Sequence, residues 1–310
     1  MSETRLNINI SATFIMIIIC FIWGTQQAAI KTIADQISPV LQIGLRSIFA
    51  TLLVCLVIFI KNKELLQVKN YVFPGLIVGA LFGSEFLFVA EGLKITSTSH
   101  MTVFIYSAPI FSAIGLQLFN KHESLTKVQW IGVIIASLGI VVAFITNDKD
   151  TNLDMNNSFL GDMMALTAGF LWGATTVVIR CSQLRFAPAE HTLFFQLGGA
   201  GVLLLTYAYL TDQFSFSLSY NITINLLAQV LFVSFASYLA WFSLIRKYKA
   251  SQLGILSFLT PIIGVISGII LLEERVSSNF TMGSIMILIG VIIVSTWPWL
   301  SVKIKNKFRQ

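Results

Sequence analysis

The sequence predicts an all-α integral membrane protein whose ten transmembrane helices form two inverted five-helix repeats. Three observations carry that expectation. Of 310 residues, 56% are hydrophobic and only 11% are charged, with a mean hydropathy of +0.83; soluble domains carry about 25% charged residues. Apolar runs of about 20 residues, long enough to cross a bilayer as helix, recur along the whole chain. The second half also repeats landmarks of the first at an offset near 150 residues.

The ten runs cover residues 10–31, 38–60, 71–93, 97–119, 128–146, 158–180, 187–210, 222–245, 250–272 and 280–301. Short gaps between them predict antiparallel neighbours. Strands are disfavoured, because no alternating ten-residue pattern appears and lipid tolerates only helices or closed barrels. The first run is too long for the apolar core of a cleavable signal and has no small-residue cleavage site behind it. It is expected to remain as a spanning helix.

Lysine and arginine fix the expected orientation. With the N-terminus inside, 15 bases fall in inner caps, from Arg5 through Lys61 and Arg180 to Arg309. Four fall outside (Lys31, Lys94, Lys149 and Arg275), and Arg46 lies within a span. Both termini are therefore expected in the cytoplasm, with residues 148–157 as an acidic outer linker between a first repeat, 1–147, and a second, 158–310. The N-x-S/T triplets at Asn156, Asn221 and Asn279 read as chance matches. The net charge of +6 does not signal nucleic-acid binding, since the bases form no continuous patch. Cys20, Cys55 and Cys181 lack metal-ligand spacing and read as small apolar fillers.

The repeat is visible in particular pairs. Phe21-Ile22-Trp23-Gly24 returns as Phe170-Leu171-Trp172-Gly173, and Pro39 returns as Pro188, both at an offset of 149. Pro109 and Pro261 are 152 apart; Glu123 and Glu274, Gly132 and Gly283, and Gly139 and Gly290 are 151 apart. Five is odd, so a duplicated five-helix unit enters the membrane in opposite senses. Inverted repeats of that kind are the architecture of many secondary transporters, with the site near the midplane where the halves meet.

With Trp23-Gly24, Trp172-Gly173, Leu45-Arg46-Ser47-Ile48-Phe49-Ala50, the two proline helices and the paired endings from Glu123 and Glu274, the chain resembles the EamA family of the drug/metabolite transporter superfamily. Arg46-Ser47 departs from the more usual Arg-Phe. The resemblance covers nearly the whole chain, and its specificity lies in the order and double occurrence of short motifs. It implies a ten-helix bundle whose cavity is lined by spans one, three, four, six, eight and nine. It also implies export or exchange of small metabolites, often amino acids or related compounds, without ATP.

Charges inside apolar spans are costly and mark functional candidates. Arg46 and Glu85 each lie eight residues from the outer end of their span, roughly 12 Å deep at about 1.5 Å per residue. Equal depth on sequential helices makes an ion pair plausible. It reads either as a fixed brace or as a pair in which Glu85 accepts a proton or cation during the cycle. Glu85 has Ser237 as its repeat equivalent and is private to the first half. Trp23, Gln26, Tyr106, Trp172, Ser237, Tyr238 and Phe258 join Glu85 as candidate substrate-binding residues, because aromatic faces and buried hydroxyls suit a small zwitterion. Pro109 and Pro261 are candidate hinges: proline removes a backbone hydrogen bond. Asp162 reads as a dipole partner or an outer-gate residue, Glu91 and Lys94 as interfacial caps, and His100 as isolated.

The function expected is secondary active export of a small metabolite by alternating access, in a bacterial inner membrane; the alternative is a passive channel. Its partners would be a small-molecule substrate, lipid and protons as the coupling-ion candidate, in a monomer or homodimer. No H-E-x-x-H, G-x-S-x-G or G-x-x-x-x-G-K-[ST] motif occurs, so neither enzyme chemistry, a cofactor, a metal nor ATP drive is expected.

Overall fold

A computed structural model describes residues 6, 8–61, 71–119, 125–144, 155–216, 219–248 and 250–307. Arg5, Lys63, Lys69, Lys121, Glu123, Lys249 and Arg309 lie outside the described residues, as does the expected acidic linker up to residue 154.

Thirteen α-helices follow one another among the described residues: α1 (Ile10–Lys31), α2 (Pro39–Ile60), α3 (Val72–Gly92), α4 (Thr98–Ile105), α5 (Ala108–Phe119), α6 (Lys127–Phe144) and α7 (Met155–Cys181) in the first part. They continue with α8 (Ala189–Leu210), α9 (Tyr220–Ala228), a π-helical stretch (Gln229–Ala236), α10 (Ser237–Lys247), α11 (Ala250–Ser257), α12 (Leu259–Leu272) and α13 (Ser278–Lys307). The one β-type pairing among the described residues is an isolated bridge from Leu6 to Tyr248. Helix starts follow local chemistry. Asn9 accepts from the Ala12 N–H and Ser38 from the Leu41 N–H, each satisfying a donor that the first turn cannot. Pro39 opens α2, where its missing N–H costs nothing.

Two of the expected spans are interrupted. The fourth is α4 plus α5, and the ninth is α11 plus α12. In both the cause is proline, whose ring clashes with the carbonyl four residues back and cannot bond to it. Helix α4 ends on Ile105, four residues before Pro109, and α11 ends on Ser257, four before Pro261. The eighth span widens into π-helix over Gln229–Ala236. Nine helical stretches among the described residues are long and apolar enough to cross a membrane. The ninth expected span offers the shorter apolar helix Leu259–Leu272 instead.

Packing follows the duplication. Equivalent spans pack on each other, α2 against α8 and α6 against α13. Contacts between α1 and α12 recur as contacts between α7 and α5. Expecting sequential helices to be the main neighbours needs correcting for α2 and α3, which pack chiefly on α8 and on α7 and α8 respectively. Gly24 and Gly173 show the symmetry atom by atom. A Cβ on Gly24 would lie 2.9 Å from the Thr260 carbonyl oxygen and 2.7 Å from Ile263; one on Gly173 would lie 3.0 Å from the Ala108 carbonyl oxygen and 2.7 Å from Phe111. In each repeat the glycine after the tryptophan admits the helix that restarts beyond the break.

Candidate functional site

Arg46, on α2, is enclosed by protein, with 2% of its surface exposed. Its guanidinium donates from Nη1 to Gln229 Oε1 at 3.3 Å and from Nη2 to Gln26 Oε1 at 3.4 Å, and lies 5.1 Å over the Phe86 ring. Its Nε has no hydrogen-bond partner. The π-helical stretch supplies Gln229, whose amide donates to Gln42 Oε1 at 3.0 Å and Asn225 Oδ1 at 2.7 Å. Gln42 in turn donates to the Ile30 and Ile37 carbonyls. Both amide protons of Gln229 are thereby committed, and its oxygen is turned towards Arg46.

The expected ion pair between Arg46 and Glu85 is not formed. Successive residues on a helix point about 100° apart, at 3.6 residues per turn. Phe86 is the residue that faces Arg46, so Glu85 is carried round α3 away from the guanidinium. Glu85 is buried at 3% exposure, and its Oε2 has no partner. Tyr106 and Tyr238 are the hydroxyl-bearing rings within its electrostatic reach.

An aromatic chain leads from the arginine to Trp23. Phe86 packs on Phe82 with centroids 4.9 Å apart, Phe82 on Tyr238 at 6.3 Å, and Tyr238 on Trp23 at 5.6 Å. Trp23 also meets Trp241 at 5.5 Å and donates from Nε1 to Ser237 Oγ at 2.8 Å. Apart from the tilted Trp23–Tyr238 pair, these ring contacts are edge-to-face, which suits the ring quadrupole. Tyr106, in the break between α4 and α5, meets Trp172 edge-on at 5.3 Å and 89°. Phe258 is buried in the break before α12 as the repeat counterpart of Tyr106. The structure thus gathers Trp23, Gln26, Arg46, Ser237 and Tyr238 into one network, sets Glu85 beside it, and holds Tyr106 with Trp172. Pro109 and Pro261 lie just past the breaks.

Sequence reasoning found Gln26 but missed two other amides. Gln42 and Gln229 are buried polar residues inside apolar runs, and a search for amides as well as charges would have found them. His100 is not isolated, as the sequence suggested. Its Nδ1 lies 2.8 Å from Asp162 Oδ2, its ring stacks on Phe280 at 3.9 Å, and Thr96 donates to Asp162 Oδ1 at 2.5 Å. Glu91 and Lys94 pair at 2.8 Å near the end of α3. No cluster of three metal-ligating side chains occurs among the described residues.

The chain is similar over most of its length to proteins named as transporters. It is 24% identical over 280 residues to the uncharacterized transporter YoaV of Bacillus subtilis, covering 89% of this chain and 94% of that protein. It is 22% identical over 289 residues to a protein of Salmonella typhimurium named "Probable amino-acid metabolite efflux pump", covering 90% and 93%. A solved crystal structure with 17% identity superposes with a TM-score of 0.65 over 92% of this chain and 97% of its own, a likeness of fold. The model of the EamA-like transporter family matches twice, at residues 10–145 and 159–296. The protein is a multi-pass membrane transporter, and the chain belongs to the EamA-like transporter family.

Proposed function

We propose that this protein is a secondary active exporter of small zwitterionic metabolites, amino acids or close relatives, working by alternating access with protons as the coupling ion. One observation carries the reading. A carboxylate and a guanidinium, both enclosed and each with hydrogen-bonding capacity left over, flank an aromatic wall in one membrane-embedded core. An ionised group so placed is expensive unless it has work to do. Arg46 suits a substrate carboxylate, Glu85 an ammonium group or a proton, and Trp23, Tyr106, Trp172, Tyr238 and Phe258 the apolar part. Ser237 and Gln26 orient these partners, and Pro109 and Pro261 mark where the two broken spans bend. The relative named as an amino-acid metabolite efflux pump agrees with that substrate class.

In this reading residues 1–147 and 158–310 are the two inverted repeats, joined by the linker 148–157. Both termini face the cytoplasm across a bacterial inner membrane, in a monomer or homodimer. The test is efflux from proteoliposomes loaded with radiolabelled amino acids. Saturable efflux, accelerated by counter-substrate and by an imposed pH gradient, is expected. Unsaturable release that ignores both would replace the exporter with a passive facilitator.

A further inference from the structure

At the far end of α4 from Tyr106, the second half of the chain grips the first. Glu274 lies just beyond α12, after Glu273 turns the chain in the left-handed conformation (φ 53°). Its carboxylate accepts from the Thr98 N–H at 2.6 Å, the Ser99 N–H at 2.9 Å and the Ser99 hydroxyl at 2.7 Å. These donors belong to the first turn of α4, where N–H groups lack helical partners and the helix dipole favours an anion. Lys31, the last residue of α1, donates to the Thr96 carbonyl at 2.6 Å and lies 4.0 Å from Glu274. Thr96 and His100 bind Asp162 of α7 from the same segment. Four parts of the chain (α1, α4, α7 and the end of α12) therefore meet at one point.

Helix α4 is only eight residues long and buried throughout. Its other end opens directly into the break that carries Tyr106 against Trp172. Packed against α7 and α12 but broken off from α5 at Tyr106, a half-helix held at its first turn can move as a unit only when that hold is released.

We propose that Glu274 is a gating and positioning residue. It latches α4 shut at the Lys31 end of the molecule, and through α4 it holds Tyr106 in the closed arrangement. The proposal rests on the alternating-access reading, in which one end of the core must close while the other opens. It adds the group that closes this end. The latch differs in kind from a packing contact, since its bonds converge on one side chain and are lost together. Acid and helix also come from different repeats, so rocking of one repeat against the other breaks the latch without unfolding either.

The experiment reads access rather than transport. In a background with Cys20, Cys55 and Cys181 replaced by alanine, a single Thr102→Cys places a thiol one turn along α4, at a position 1% exposed. A second protein carries Val291→Cys in the seam between α6 and α13, also 1% exposed. Each is treated with a membrane-impermeant thiol reagent, with and without Glu274→Ala. At least tenfold faster labelling of Thr102→Cys in the Glu274→Ala background, with Val291→Cys still protected, is expected. Glu274→Gln, which keeps one carbonyl acceptor, should give a smaller increase. Unchanged labelling of Thr102→Cys overturns the latch, and so does an equal rise at both thiols, because that reports general loosening. No substrate is present, so a failed efflux assay with normal labelling behaviour would count against the transport reading alone.

Discussion

Arg46 states the residue-scale problem most sharply, because a guanidinium in a protein core must find acceptors or destabilise the fold. It finds two amide oxygens and a ring face rather than a counter-charge. Removing it and removing Glu85 should then be independent events. Arg46→Gln and Glu85→Gln, measured singly and together by thermal unfolding in detergent, should add to within about 0.5 kcal/mol. A larger coupling would restore the ion pair that the sequence suggested. Glu85 has the opposite character: no ion pair to it appears among the described residues, and one oxygen has no partner. Glu85→Gln should abolish pH-gradient-driven efflux in proteoliposomes while leaving counter-substrate exchange measurable. Undiminished gradient dependence in that variant would end the case for Glu85 as the coupling group. The sequence made both side chains legible as buried charges at matching depth, yet depth is only one coordinate. Which way each points around its helix depends on how α2 and α3 pack, and both lean on other helices more than on each other.

At the scale of the element, the two tryptophan–glycine motifs and the two prolines form one device built twice. Each glycine lies against the carbonyl just before the proline of the opposite repeat's broken span, with too little room for a Cβ. Gly24→Ala and Gly173→Ala should each cost about 1–3 kcal/mol as overpacking. Comparable losses at both sites, seen by thermal unfolding, would express the symmetry, whereas a loss at only one would break it. Pro109→Ala and Pro261→Ala should restore a bondable N–H at each break, raise thermal stability and slow efflux. Unaltered efflux in the double variant would remove the hinges from the mechanism. The sequence exposed these pairs because proline and glycine act through backbone geometry, which survives divergence of the surrounding side chains. It did not expose the π-helical stretch, whose residues are as apolar as any other spanning segment apart from Gln229 and Ser234. A wider turn has no compositional mark. Nor did it expose the grip of Glu274 on α4, because three donors from one helix start and one acid 175 or 176 residues away meet only in three dimensions.

For the whole molecule, the parity of crossings decides where the two ends lie. The nine long apolar stretches alone would put the termini on opposite sides. The remaining segment, α11 with α12, holds 8 and 14 helical residues in two pieces. At about 1.5 Å per residue that is roughly 33 Å of helix, against a hydrocarbon core of about 30 Å. Broken helices at membrane depth are tolerated where their freed backbone faces protein, and α12 lies along α1 and against α4. The fourth span is broken in the same way and counts as a crossing in one piece, so the ninth should cross as well. Charge argues for the same parity. With ten crossings, Lys303, Lys305, Lys307 and Arg309 join the base-rich side that holds Lys61 and Arg180; with nine they would face away from it, against the bias that orients membrane proteins. Reporter fusions at residue 1 and residue 310, one active only in the cytoplasm and one only outside it, should both report the cytoplasm. Opposite reports would mean that α11 and α12 form a re-entrant hairpin, and would remove the inverted symmetry on which the alternating-access reading depends.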